Sequence, residues 1–168
     1  MRNTLLGFVL FFLVALVVPT SAAGQLLPPS ANIAVPGIGI SHEAAHDPVY
    51  NMVLFVWVDR DKAQALGRFL DNAGNALGPA VVLGPATYRD AVRVSYGAGN
   101  FVVVWSDDNY ANARRTLYSQ VVSYPGGLVG PRQTIRSVSH TAFQLGLAYS
   151  PEARQFLVAW TDNYIVPS

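Results

Sequence analysis

The densest group of reactive side chains is His42-Glu43-Ala44-Ala45-His46, which fits H-E-x-x-H. In that pattern two imidazoles one helical turn apart bind Zn²⁺, and the Glu activates the metal-bound water of a protease. The chemistry needs a helix, because only positions i and i+4 of a helix bring both rings to one metal. Pro48 follows two residues after His46, no Gly or third His stands at metzincin spacing, and Glu152 is the only other Glu. A second set of acids recurs along the chain. Asp59, Asp107 and Asp162 each stand two residues after a Trp, with Asp61 and Asp108 close by. Carboxylates at the ends of successive strands could face a ligand or a cation, or act as acid and base on a glycan. An Asp just after a strand also accepts hydrogen bonds from turn N–H groups, a structural role that equally predicts repetition. No calcium loop, nucleophile elbow or P-loop occurs, and Gly37-Ile38-Gly39 is followed by His42 where a G-x-G-x-x-G loop needs its third Gly. His140 stands alone.

These residues are positioned by a repeat. Val53-Leu54-Phe55-Val56-Trp57, Phe101-Val102-Val103-Val104-Trp105 and Phe156-Leu157-Val158-Ala159-Trp160 are one element written three times. Gly74-Asn75-Ala76-Leu77-Gly78-Pro79 matches Gly126-Gly127-Leu128-Val129-Gly130-Pro131 as G-x-x-x-G-P. The period is roughly 50 residues, in the range of propeller blades. Within the middle copy, Ala91 to Tyr96 alternates as strand A and Gly97-Ala98-Gly99-Asn100 suits a tight hairpin. Phe101 to Trp105 is strand B, apolar on both faces and five residues long, which suits a strand buried on both sides. Thr116 to Val122 is strand C, Pro125-Gly126-Gly127 a turn, and Gln133 to Ile135 a short polar strand D at the outer edge. The alignment sets His42 against Leu145 and Glu43 against Gly146, so the H-E-x-x-H pentad falls on strand A and loses the helical geometry zinc requires. The Trp residues, which could stack on sugar rings, are expected in the core.

The expected architecture is all-β: antiparallel four-stranded propeller-like blades, about two and a half copies, preceded by a signal-peptide helix. Copies run from about 41 to 86, 90 to 138 and 139 to 168, the last incomplete, after a linker over 24–40. A β-sandwich is the other arrangement of short strands, but it gives no reason to repeat Trp-x-Asp. The blocks Asp47-Pro48-Val49-Tyr50-Asn51 through Phe55-Val56-Trp57-Val58-Asp59, and Tyr149-Ser150-Pro151 through Trp160-Thr161-Asp162, resemble repeats of large secreted bacterial β-propeller proteins. The resemblance implies an architecture without a fixed activity, since propellers serve as enzymes, lectins and scaffolds. It carries over no central-channel residue.

Arg2, the apolar run from Leu5 to Val18, and Pro19-Thr20-Ser21-Ala22-Ala23 have the order of a secretory signal peptide over 1–23, cut after Ala22 or Ala23. The apolar run is short for a spanning helix, which needs about 20 residues. Loss of Arg2 would balance the basic residues against the ten Asp and Glu. Without a clustered basic face there is no electrostatic case for nucleic acid. The absence of Cys excludes a disulfide framework. The resulting expectation is a secreted, periplasmic or cell-surface protein without cofactor or membrane contact. It would bind or scaffold rather than catalyse, with other blades, other chains or a surface glycan as partners. Asp59, Asp107, Asp108 and Asp162 are its candidate ligand contacts, and His42, His46 and Glu43 the remote metal candidate.

Overall fold

The computed structural model describes residues 39–87, 91–109, 114–125, 127–139 and 144–161. The expected signal peptide over 1–23, nearly all of the expected linker over 24–40, His140 and Asp162 lie outside the described residues. Ten strands form three antiparallel sheets. The first joins β1 (Gly39–Asp47), β2 (Met52–Asp59), β3 (Gln64–Asp71) and β4 (Val81–Pro85) in chain order. The second joins β5 (Val92–Gly97), β6 (Asn100–Asn109), β7 (Arg114–Ser123) and β8 (Gly127–Ser139), and the third pairs β9 (Leu145–Ser150) with β10 (Gln155–Trp160).

The hairpin registers give the closing Trp of each copy an equivalent partner, across a turn that is shorter in the middle copy. Trp57 pairs with His42, Trp105 with Val92, and Trp160 with Leu145. The H-E-x-x-H pentad therefore lies along β1, where His42 and His46 share a face but stand about 13 Å apart along the strand and Glu43 points to the other face, so the three cannot converge on one metal as they would on a helix. The tight turns use left-handed backbone at Asn51, Ala98 and Arg154, in hairpins whose flanking strands pair up to the turn.

Equivalent strands of successive sheets lie side by side: β1 against β5, β5 against β9, and β4 against β8. Leu54 and Val56 of β2 meet Phe101, Val103 and Trp105 of β6 in a core between the first two sheets. The opposite face of β6 gives Val104, which clusters with Leu117 and Leu145 toward the third sheet. Period-two alternation thus lets one apolar strand feed two cores.

Two expectations change. Strand D of the middle copy is not a three-residue element: β8 is 13 residues long. A register shift between Ser119 and Val121 keeps it paired past Gly130-Pro131, and buried Gln120 donates through Nε2 to the carbonyls of Val121, Val129 and Gly130. That side chain satisfies carbonyls that the irregular ladder leaves over. Second, Trp57 and Trp105 are buried, whereas Trp160 is 39% exposed. Among the described residues β10 has β9 alone as a paired neighbour.

Candidate functional site

On β1, His42 and His46 are exposed and Glu43 is half-buried. His46 Nε2 lies 3.2 Å from Asn51 Oδ1, and the His42 ring leans on Phe55 at 6.0 Å. The Glu43 carboxylate turns toward the neighbouring sheet, where Oε2 accepts from Val94 N at 2.6 Å. Ser41 Oγ accepts from Val92 N at 3.1 Å in the same way. β5 is an edge strand, so its outward N–H groups have no ladder partner, and these two side chains supply the acceptors. Arg93 stands where Glu43 stands one copy earlier. Its Nε donates to Leu145 O of the third sheet at 3.0 Å and sits 4.0 Å from Glu43 Oε1. One strand-A position therefore ties the first sheet to the second and the second to the third.

The repeated acids diverge in role. Asp59 is buried, and its Oδ1 accepts from Asp61 N and Lys62 N, both at 3.1 Å, closing the turn into β3. Lys62 Nζ lies 3.5 Å from Oδ2, and Asp61 is exposed. Asp107 lies inside the longer β6 rather than before a turn, and Thr87 Oγ1 reaches it from the segment after β4 at 3.3 Å. The same hydroxyl hydrogen-bonds the Asp108 carbonyl, and the Asp108 carboxylate forms an ion pair with Arg115. Burial holds the Asp107 carboxyl above its ordinary value. The Asp108 charge adds to this, while the Thr87 hydrogen bonds and Arg132 oppose it. Asp59 serves its own turn and Asp107 the junction of two sheets, so this pair does not repeat one arrangement. Asp162 lies outside the described residues. Among those described, no group of three or more His, Asp or Glu could hold a metal ion.

At the opposite end of the strands, a surface that the motifs did not reveal spans two sheets. Tyr50, 60% exposed in the β1–β2 turn, meets Tyr124 at 5.7 Å, and Tyr124 packs edge-on to Phe69 at 5.3 Å. Buried Asp47 fixes that turn by accepting from Val49 N at 2.8 Å and Tyr50 N at 3.3 Å. Asp47-Pro48 marks a turn in the sequence, but the second ring comes from the next copy. No helix of the described residues is long and apolar enough to cross a membrane.

The fold and these contacts define an all-β protein of stacked, internally repeated antiparallel sheets. No protein family, curated protein or solved structure matches the chain.

Proposed function

We propose that the chain is part of a secreted, β-propeller-type repeat protein that binds or scaffolds outside the cell, with a polysaccharide as the ligand class. The observation that carries this reading is the Tyr50–Tyr124 pair, a ring 60% exposed beside a second ring, held by a turn that Asp47 hydrogen-bonds. Aromatic faces of this kind give stacking area with a polar rim. The reading is further supported by the employment of Glu43, Asp59, Asp107 and Asp108 in contacts that hold strands and sheets together. The test is affinity electrophoresis in polysaccharide gels together with a reducing-end assay. Retardation that Tyr50→Ala abolishes, without new reducing ends, supports the proposal. No retardation in any polysaccharide overturns it.

One observation favours a second reading, a glycan-acting enzyme. Asp107 is a carboxyl raised chiefly by burial, and a raised carboxyl suits a general acid. New reducing ends that disappear in Asp107→Asn, with the fold intact, would favour it.

A further inference from the structure

The second sheet carries a pair of side chains that the repeat does not require. The Arg132 guanidinium lies over the Tyr118 ring at 4.4 Å, and that ring packs on Trp105 at 5.7 Å. In the first sheet the corresponding residues are Ala80 and Leu66. Ala80 follows Pro79 as Arg132 follows Pro131, and Leu66 pairs with Trp57 as Tyr118 pairs with Trp105. Both sheets keep the Trp-closed strand and the four-stranded order, so Leu and Ala satisfy the packing at these positions and the Arg on a Tyr is an addition.

The surroundings hold this guanidinium in place and leave its donors unclaimed. Gly84 of β4 lies against it, and a Cβ there would collide with Arg132 Nη1 and meet Trp105 Cζ2 at 3.0 Å. The backbone of β4 is fixed beside it by Trp105 Nε1, which donates to Pro85 O at 2.9 Å. Arg132 is nevertheless exposed. Among the described residues no carboxylate forms an ion pair with it: Asp107, whose charge it feels, accepts from Thr87 Oγ1, and Asp108 pairs with Arg115. A guanidinium seated on an aromatic face, with its planar fork of N–H groups free, is arranged to take a carboxylate through two parallel hydrogen bonds.

This guanidinium and the Tyr50–Tyr124 pair lie on the same side of the second sheet. Tyr118 and Tyr124 both pack against the core between the first two sheets. Six residues of extended chain separate them, roughly 20 Å. Between them β8 exposes Leu128 and Val129, which pair with Val122 and Val121.

We propose that Arg132, seated on Tyr118, binds the carboxylate of a uronic-acid unit in an acidic polysaccharide whose neighbouring rings reach Tyr50 and Tyr124. This inference rests on the polysaccharide reading above and adds the charge of the ligand to it. Stacking on the tyrosines is indifferent to charge, and Arg132 supplies the preference for an acid.

The test is calorimetric titration of the chain, expressed from its full coding sequence, with polygalacturonate and with its methyl ester, the same polymer with its carboxylates capped. The wild type is expected to bind the acid at least about tenfold more tightly than the ester. Arg132→Gln should bring the acid down to the affinity of the ester and leave the ester unchanged, which also reports an intact fold. Arg132→Lys, which keeps the charge without the fork, should recover part of the difference. Equal affinity of the wild type for both polymers, or a preference for the acid that survives Arg132→Gln, overturns the proposal. Should neither polymer bind, the polysaccharide reading fails, and ¹⁵N NMR of the arginine Nε–H signals titrated with sodium glucuronate decides the carboxylate site separately. A shift of the Arg132 signal, assigned by Arg132→Lys and absent with glucose, supports the site. No shift overturns it.

Discussion

Glu43 Oε2 accepts a hydrogen bond from Val94 N across two sheets, joining residues 51 positions apart in the sequence. The carboxylate that would activate water in an H-E-x-x-H protease is thus a fastener between sheets. Because the Val94 amide is on an edge, Glu43→Ala leaves it without that acceptor and should cost about 1–2 kcal/mol of stability, read as a lower urea midpoint. Glu43→Gln keeps an acceptor oxygen and should cost less. Equal midpoints for Glu43→Ala and the wild type would contradict the fastening role.

The two fully buried Trp residues and the exposed one should separate in the same assay. Trp105→Ala empties a core position and removes the bond to Pro85, for an expected loss of about 3–5 kcal/mol. Trp160→Ala, at a position 39% exposed, should cost under about 1 kcal/mol.

At Gly97 the third sheet packs closely against the second. A Cβ there would collide with the ring carbons of Tyr149. Gly97→Ala should destabilise by about 1–3 kcal/mol through overpacking, with amide exchange rising first in β9 and β10. Restoration of the wild-type midpoint in Gly97→Ala/Tyr149→Ala would identify that ring as the cause.

The pH dependence of stability should carry the mark of Asp107. Its folded pKa is raised, chiefly by burial, so folding favours the protonated form. The contribution is fully present below the unfolded pKa of about 4 and is lost as pH rises through the folded value. Asp107→Asn mimics the neutral carboxyl. It should therefore gain stability relative to the wild type as pH rises from about 4 toward neutrality, and the two should converge below about pH 4. A constant difference between pH 3 and pH 7, in paired urea titrations, would rule the titration out.

Much of this architecture is written in single residues. The three Trp-closed apolar runs locate the second strand of every sheet, and Gly97 to Asn100 marks a hairpin, because both signals are local. The length of β8 was hidden because Gly130-Pro131 reads as a break, and what carries pairing across it is the buried amide of Gln120 on another strand. The acids were visible by type but not by use. Asp59 and Asp107 share a motif, yet the second strand of the middle copy continues to Asn109, which takes Asp107 away from the turn. Glu43–Val94, Thr87–Asp107 and Tyr50–Tyr124 all join different copies, and no local pattern announces a partner so far along the chain.

The central claim is that side chains at one repeated strand-A position fasten each sheet to the next. Backbone amide exchange at Val92 and Val94 tests it most directly, because both N–H groups lie on the open edge of β5 and are held only by Ser41 and Glu43. Both amides are expected to be protected in the wild type, and Glu43→Ala should release Val94 by about tenfold or more while amides in the β5–β6 ladder stay slow. Unprotected exchange at Val94 in the wild type would contradict the account.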